Sequence, residues 1–376
     1  MIITIVTDVL GQENNGTTIT AKRLIGCLRQ RGHEVRVVSP LKTEEQGYFS
    51  VPKRNFYVFN EYVAKNGVEL AKPDKYVLSE AIAGSDIVHI ILPFKLGRTA
   101  FRVAQELGIP CTAAFHCQPE NITSHIFLKD FKPANDYVYR RFNRKFYRHV
   151  GHIHCPSEYI AGELHEHGYQ SKLHVISNGV SPVYHRMDSP KPEEYRDRFC
   201  ILFTGRFSKE KRHDLLIEAA LLSRHRERIQ LIFAGNGPQL DHVMNLAQRL
   251  PNPVKVGFYP AEELNRIINF CDLYVHPADV EIEAIACLEA ITCGLVPVIS
   301  NSPRSATRNF AFNEKCLFEV GNAQSLADRI DYWIEHEEEK RQLSGEYIAY
   351  AERFRLEHSI DLMEQMFREA VQEERA

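Results

Sequence analysis

Two glutamates, Glu281 and Glu289, stand with seven residues between them in the run VEIEAIACLEAITCGLVPVI. The first follows an apolar, strand-like segment, Leu273 to His276, and the second lies inside a segment of helical period. Ile285, Leu288 and Thr292 recur at helical spacing, Gly294 stands where a C-cap belongs, and Pro297 follows. Small residues at the start of that helix leave its backbone approachable, including the amides of Ala284 and Ile285. A helix N-terminus offers free N–H groups and partial positive charge, which suits a phosphate. Eight residues of helix rise about 12 Å, so one carboxylate would stand at each end of a bound pyrophosphate. Each would then face a hydroxyl-rich group, a sugar on one side and a ribose on the other. Taken alone, two solvated acids on an ordinary helix account for the pattern more simply.

The second candidate is GRFSKEKR, directly after the apolar strand CILFTG. Arg206 and Lys211, five apart at a strand-to-helix turn with Lys211 in the first helical turn, can converge on one anion. A diphosphate leaving group needs such neutralisation, from a metal ion or from Arg and Lys. No Asp-x-Asp pair occurs, and no His/Asp cluster has metal-ligand spacing. The cationic route is therefore the simpler one, set against the plainer alternative of a solvated turn.

The elements that must hold these residues alternate strand and helix. In the first half, strands are expected at IITIVTD, EVRVVS, DIVHIIL, PCTAAFH, HIHCPS and KLHVIS. Helices are expected near Thr17–Arg31, Asp74–Ala83 and Thr99–Leu107, with a long helical stretch before HIHCPS. The mixed segment from Lys42 to Lys72 shows no clear pattern. A polar, proline-containing stretch after Asn178-Gly179-Val180 marks a junction. The second series is CILFTG, a helix over Lys211–Arg224, IQLIFAG, a helix over Pro238–Leu250, VKVGF, a helix over Ala261–Asn269, DLYVHPA, the glutamate helix and VPVIS. Continuous apolar strands alternating with amphipathic helices imply parallel sheets covered on both faces, with ligands beyond the strands' carboxyl ends. The expected organisation is an N-terminal domain over 1–180, a second over 181–355, and a charged amphipathic helix over 356–376 packing back on the first.

Taken together, these elements resemble the family 4 retaining glycosyltransferases. GRFSKEKR is similar to that family's G-R-L-x-x-x-K element, and EIEAIACLEAITCGLVPVI to its E-x7-E element with the trailing C-G-x-P-V. CPSEYIAGEL with VISNGV resembles its interdomain run, and FAGNGP its G-x-G-P turn, all in the family's order. The resemblance implies the GT-B fold: two Rossmann-like domains facing across a cleft, the C-terminal one binding a nucleotide sugar such as UDP-glucose. It implies that Arg206 and Lys211 hold the donor pyrophosphate, Glu281 meets the sugar and Glu289 the ribose. Gly16 would let backbone approach the phosphate side, and His116 would stand beside the sugar. No cofactor or metal is implied, and retention follows from the family alone. Two departures stand out. The family's F-G after the first glutamate is Glu283-Ala284, where an extra negative charge threatens a phosphate site unless it points away. The usually glycine-rich segment after VPVIS carries Arg304 and Arg308.

Residues 129–150, KDFKPANDYVYRRFNRKFYRHV, carry seven Lys/Arg against two Asp, a local excess of +5, on a chain whose net charge is −3. Tyr139, Phe142, Phe146 and Val150 recur at helical spacing beside those bases. This reads either as a helix lying on an anionic membrane surface or as an aromatic stripe packed in the core with bases in water. With one basic helix and no stacking platform, nucleic acid is a poor partner. An apolar content of 44% suits a globular protein, and no run approaches the length of a membrane span. Met1 leads directly into an apolar strand without a signal-peptide pattern, and nine cysteines without a Cys-x-x-Cys pair suggest reduced thiols in the cytoplasm. The reading is thus a metal-independent sugar transferase acting on an acceptor hydroxyl, with a lipid such as a diacylglycerol as acceptor. The alternatives are a soluble or polysaccharide acceptor, or a nucleotide-sugar-binding, membrane-docking protein without turnover.

Overall fold

The computed structural model describes residues 1–11, 16–54, 70–123 and 130–375. They form two compact units, Met1–Ser177 joined by the chain from Ser359 onward, and Asn178–His358.

The first unit is built on seven parallel strands: β1 (Ile2–Val6), β2 (Glu34–Ser39), β3 (Tyr48–Ser50), β4 (Ile87–Ile90), β5 (Cys111–Ala114), β6 (His152–Cys155) and β7 (Lys172–Val175). They run in the order β3-β2-β1-β4-β5-β6-β7. β3 falls in the segment that showed no clear pattern and pairs in register with β2, Val37 opposite Tyr48. Residues 55–69 of that segment lie outside the described residues. The helix expected near Thr99 starts earlier, at Lys95, and runs to Glu106. Gly97 explains the difference: a Cβ there would lie 2.3 Å from the Leu92 carbonyl oxygen, so only glycine lets the first turn fold back so closely on the end of β4.

The basic stretch is not one continuous helix. Its helix spans Lys132–Lys145, breaks at Phe146, and is followed by a 3-10 turn at Tyr147–His149. Tyr139, Phe146 and Val150 are buried, Tyr139 stacking on Phe115 at 5.9 Å and Phe146 meeting Phe101 edge-on at 6.0 Å. The aromatic stripe therefore belongs to the core, while Arg140, Arg141, Arg144, Lys145 and Arg148 remain exposed. Lys129 lies outside the described residues.

The second unit has six parallel strands: β8 (Phe199–Thr204), β9 (Ile229–Ala234), β10 (Lys255–Gly257), β11 (Leu273–His276), β12 (Pro297–Ser300) and β13 (Leu317–Phe318). Their order is β10-β9-β8-β11-β12-β13. Relabelled from the unit's own start, this is 3-2-1-4-5-6, the Rossmann order, which puts the reversal of winding between β8 and β11. All four residues of β11 and of β12 are buried, as strands covered on both faces must be. All nine cysteines of the chain are free of disulfides.

The C-terminal helix, Leu356–Arg375, buries Ile360, Met363, Met366, Phe367 and Ala370, a stripe of helical period. Its polar edge is tied to the first unit as well: Arg31 donates to Asp361 at 2.5 Å, and His33 pairs with Glu364 at 2.9 Å. Phe367 is fully buried and lies 5.3 Å from the His89 ring on β4. Phe367→Ala is expected to cost about 3–5 kcal/mol. Urea unfolding followed by circular dichroism checks this; a loss below about 1 kcal/mol would mean that the helix contributes little to the first unit.

Candidate active site

In the second unit the loops after β8 and β9 are packed backbone against backbone. A Cβ on Gly235 would sit 2.0 Å from the Gly205 carbonyl oxygen, and one on Gly237 would sit 2.5 Å from that of Phe207. Glycine is required at both places, since any side chain would push the loops apart. Two hydrogen bonds close the contact: the Phe207 amide donates to the Asn236 carbonyl at 3.0 Å, and the Gln239 amide to the Phe207 carbonyl at 2.9 Å. Arg206 is thereby held at the end of β8, half-buried, its guanidinium pKa lowered by burial against the opposing charge of Glu210.

Behind this loop lies His213, stacked on Phe207 at 4.2 Å and also against Phe203 and Phe233. Among the described residues, neither ring nitrogen has a hydrogen-bond partner. Burial, and then the nearby Lys211, push its pKa down to about 3. The ring is a neutral apolar brace at neutral pH.

Lys211 does not lie in the first turn of a helix. It ends a 3-10 turn, Lys209–Lys211, and Arg212 takes a left-handed conformation, φ 54°, before the helix His213–Leu222 begins. That reversal turns the Lys211 side chain toward β11, where its ammonium forms an ion pair with the Glu281 carboxylate. The same carboxylate oxygen accepts from His276 Nε2 at 2.9 Å. A carboxylate only accepts, so Nε2 carries the proton and Nδ1 of the neutral ring accepts from the Tyr274 hydroxyl at 3.0 Å. Burial raises the Glu281 pKa, but Lys211 and His276 outweigh it and bring the group down to about 2. Burial lowers that of His276, with Glu281 opposing. The result is an ionised carboxylate beside a neutral imidazole. Glu281 is also fixed through its backbone, since its carbonyl accepts from the Ala306 amide at 2.9 Å.

The helix that follows spans Ile285–Thr292 and has no side-chain cap at its N-terminus. Ala284, the residue before it, is left-handed at φ 66°. The local geometry suited to glycine has therefore been kept although a methyl group is present, at a strain of about 1–2 kcal/mol. Glu283 points away from the helix start. Its buried carboxylate accepts from the Asn178 amide at 3.1 Å and from Asn178 Nδ2 at 2.6 Å, so its charge is held at the beginning of this unit. Glu289, on the helix, is buried. Arg304 is half-buried and Arg308 exposed.

The fold thus brings Lys211 and Glu281 into contact and places Arg206, Ala284, Ile285 and Glu289 in the same unit. Gly16 and His116 belong to the first unit. Gly16 opens the helix Gly16–Gln30, and no described residue would meet a Cβ there; residues 12–15 before it lie outside the described residues. His116 is buried two residues beyond β5, edge-on to His154 at 5.2 Å, and burial followed by His154 and His89 holds its pKa well below the usual range. Tyr274 and His276 were not anticipated. Their signal was available, because alternate residues of a strand share a face and His276 ends an otherwise apolar β11.

The geometry defines a class: a Rossmann-like unit in which a lysine and an ionised glutamate pair between the loops that follow two neighbouring strands, with an arginine just past the end of one of them. Residues 186–350 match the model described as "Glycosyl transferases group 1", and residues 14–184 that of "Glycosyltransferase Family 4". The chain belongs to the family 4 glycosyltransferases and is an enzyme of the GT-B class. It is 25% identical to alpha-monoglucosyldiacylglycerol synthase of Streptococcus pneumoniae over 80% of this chain and 71% of that protein. It is 27% identical to the GDP-mannose-dependent alpha-mannosyltransferase of Corynebacterium glutamicum, over 80% and 72%. The structure of Anabaena Alr3699/HepE in complex with UDP and glucose matches at TM-score 0.74 and 17% identity, covering 98% of this chain and all of that one.

A carboxylate held near 2 in the folded state, against 4.5 ordinarily, stabilises the protein fully above pH 4.5 and loses that contribution as pH falls through about 2. Glu281→Gln should therefore be less stable than wild type at pH 6, with the gap closing steadily toward pH 2–3. Denaturant unfolding at a series of pH values tests this. An equal offset at every pH would show that Glu281 gains nothing from being charged.

Proposed function

We propose that this enzyme transfers a sugar, with retention of configuration and without a metal ion, from a nucleoside diphosphate donor to the hydroxyl of a membrane lipid. The observation that carries the donor half is the Lys211–Glu281 pair beside the uncapped helix start, with Arg206 at a neighbouring strand end. A departing diphosphate develops negative charge, and Arg206, Lys211 and the amides of Ala284 and Ile285 are the groups to stabilise it. Glu281 takes the sugar hydroxyls and Glu289 those of the ribose. In the transfer step the bond from the anomeric carbon to the diphosphate oxygen breaks. The acceptor oxygen bonds to the same face of that carbon, and its proton passes to the departing diphosphate. UDP-glucose is the donor to test first, since the Anabaena protein was solved with UDP and glucose; GDP-mannose is its competitor, from the name of the Corynebacterium relative.

Two observations support the lipid acceptor. The name of the Streptococcus relative is that of a glucosyldiacylglycerol synthase. In this chain, a concavity of about 470 Å³ in the first unit is lined by Tyr137, Arg140, Arg141, Asn143, Arg144 and Arg148. Tyr137 in that lining, and Phe131 just before the helix, are more than half exposed. Bases around exposed aromatic rings suit an anionic headgroup layer, each cation adding about 1 kcal/mol. Among the described residues no helix is long and apolar enough to cross a membrane. The proposed placement is peripheral, on the cytoplasmic face.

Arg206→Ala and Lys211→Ala should each lower turnover about 10- to 100-fold, the loss of a charge-assisted contact worth roughly 1.5–3 kcal/mol, while wild-type turnover persists in EDTA. Assays of donor hydrolysis and transfer decide it, and near-normal rates in both variants would remove the pyrophosphate assignment. Abolition by chelator with rescue by Mg²⁺ or Mn²⁺ would remove the metal-free one.

The four-fold variant Arg141→Ser, Arg144→Ser, Lys145→Ser, Arg148→Ser should no longer co-sediment with anionic vesicles, whereas wild type sediments and is released as salt shortens screening to below about 8 Å. Donor hydrolysis by water should be spared. Wild-type protein that never sediments, or a variant that sediments equally, points to a soluble acceptor instead.

A further inference from the structure

On the face of the first sheet that the C-terminal helix covers, β6 and β7 present His152 and Lys172 opposite each other, and His154 opposite His174. His152 is buried and His174 half-buried. Their rings are inclined by 27°, and His152 Nδ1 is 2.9 Å from His174 Nε2. The other nitrogen of His152, Nε2, lies 3.0 Å from a carboxylate oxygen of Glu373 on the helix. Glu373 can only accept, so Nε2 carries the proton and Nδ1 of the neutral ring presents a bare lone pair to His174. One turn earlier on the helix, Glu369 completes a group with His152 and His174 whose ligand atoms all lie within 4.8 Å of one another. Lys172 Nζ donates to Glu369 at 2.6 Å and lies 3.7 Å from Glu373, and Gln365 Nε2 donates to the other Glu369 oxygen at 3.1 Å.

We infer that His152, His174 and Glu369 bind a Zn²⁺ ion that bridges β6, β7 and the C-terminal helix. Two imidazoles and one carboxylate form a three-ligand set that suits zinc, with a remaining position for water. Zinc bonds of about 2.0–2.2 Å in a tetrahedral arrangement place ligand atoms roughly 3.3 Å apart. The two ring nitrogens are near that separation already, and the Glu369 side chain, partly exposed, has room to close on them. The ion takes the place of the hydrogen between the two rings, and the His174 proton moves from Nε2 to Nδ1, so that both ligands are neutral imidazoles. Glu373 then orients His152 as a carboxylate behind a metal-bound imidazole does, a role that raises ligand basicity. Lys172, half exposed, gives up Glu369 and keeps Glu373. The three ligands come from positions 152, 174 and 369, so their convergence exists only in the folded unit, and metal binding stabilises the docked helix. All of these residues belong to the first unit, while Lys211 and Glu281 belong to the second.

The full-length protein, stripped with chelator and desalted, is titrated with ZnCl₂ by calorimetry and scanned for melting temperature with and without one equivalent. Wild type should bind one Zn²⁺ with micromolar affinity or tighter and melt higher when loaded. Glu369→Gln and His174→Ala should each weaken binding at least about tenfold and lose the melting shift, and Glu373→Gln should weaken it about tenfold through His152. Co²⁺ substitution should give visible d–d bands without the near-ultraviolet band of a thiolate ligand. The inference is overturned by absent binding, by equal binding in Glu369→Gln and His174→Ala, or by a thiolate band that places the ion on cysteine.

Discussion

A carboxylate largely withdrawn from water in the loop after a parallel strand is stable as an anion only if its neighbours replace the water it has lost. Glu281 is in that position, and Lys211 and His276 supply the replacement, one as a charge and one as a donor. Much of the second unit follows from that requirement. The left-handed turn at Arg212 exists where Lys211 must face β11 instead of continuing into a helix. The Glu281 carboxylate sets the tautomer of His276, and the Tyr274 hydroxyl donates to the ring nitrogen left bare. The ammonium and the carboxylate so paired are the two groups that the proposed function assigns to a diphosphate and to sugar hydroxyls.

Two departures from the family pattern are absorbed by local geometry. Ala284 keeps the left-handed turn that glycine would adopt without strain, and the helix start remains uncapped. Glu283, where the pattern has phenylalanine, accepts hydrogen bonds from Asn178, which keeps its charge off the helix N-terminus. The glycines at 235 and 237 cannot vary in this way, because the atoms they meet are backbone.

The basic segment of the first unit shows how one helix serves two environments. Tyr139 packs into the core while the bases on the other side stay in water. The aromatic stripe of residues 129–150 is therefore structural, and the bases of its described part beside it are exposed.

Alternating apolar strands and helices determined the α/β class and the two Rossmann-like series, because burial on both faces of a parallel sheet leaves long apolar runs that chain order displays directly. Arg206 near a strand end and Glu289 on a helix fall where the local pattern puts them, whereas Lys211 ends a 3-10 turn and Glu281 lies in the loop after β11. The early start of the helix at Lys95 was hidden by Gly97, a poor helix former kept there for a contact with Leu92. The edge strands Tyr48–Ser50 and Leu317–Phe318 were too short to carry a period. Tertiary structure alone decided which charges meet. The pairing of Lys211 with Glu281, the aim of Glu283 at Asn178, and the gathering of His152, His174 and Glu369 join residues far apart in the chain. Such contacts depend on side-chain direction and on the register of neighbouring strands, and neither leaves a local trace in the order of amino acids.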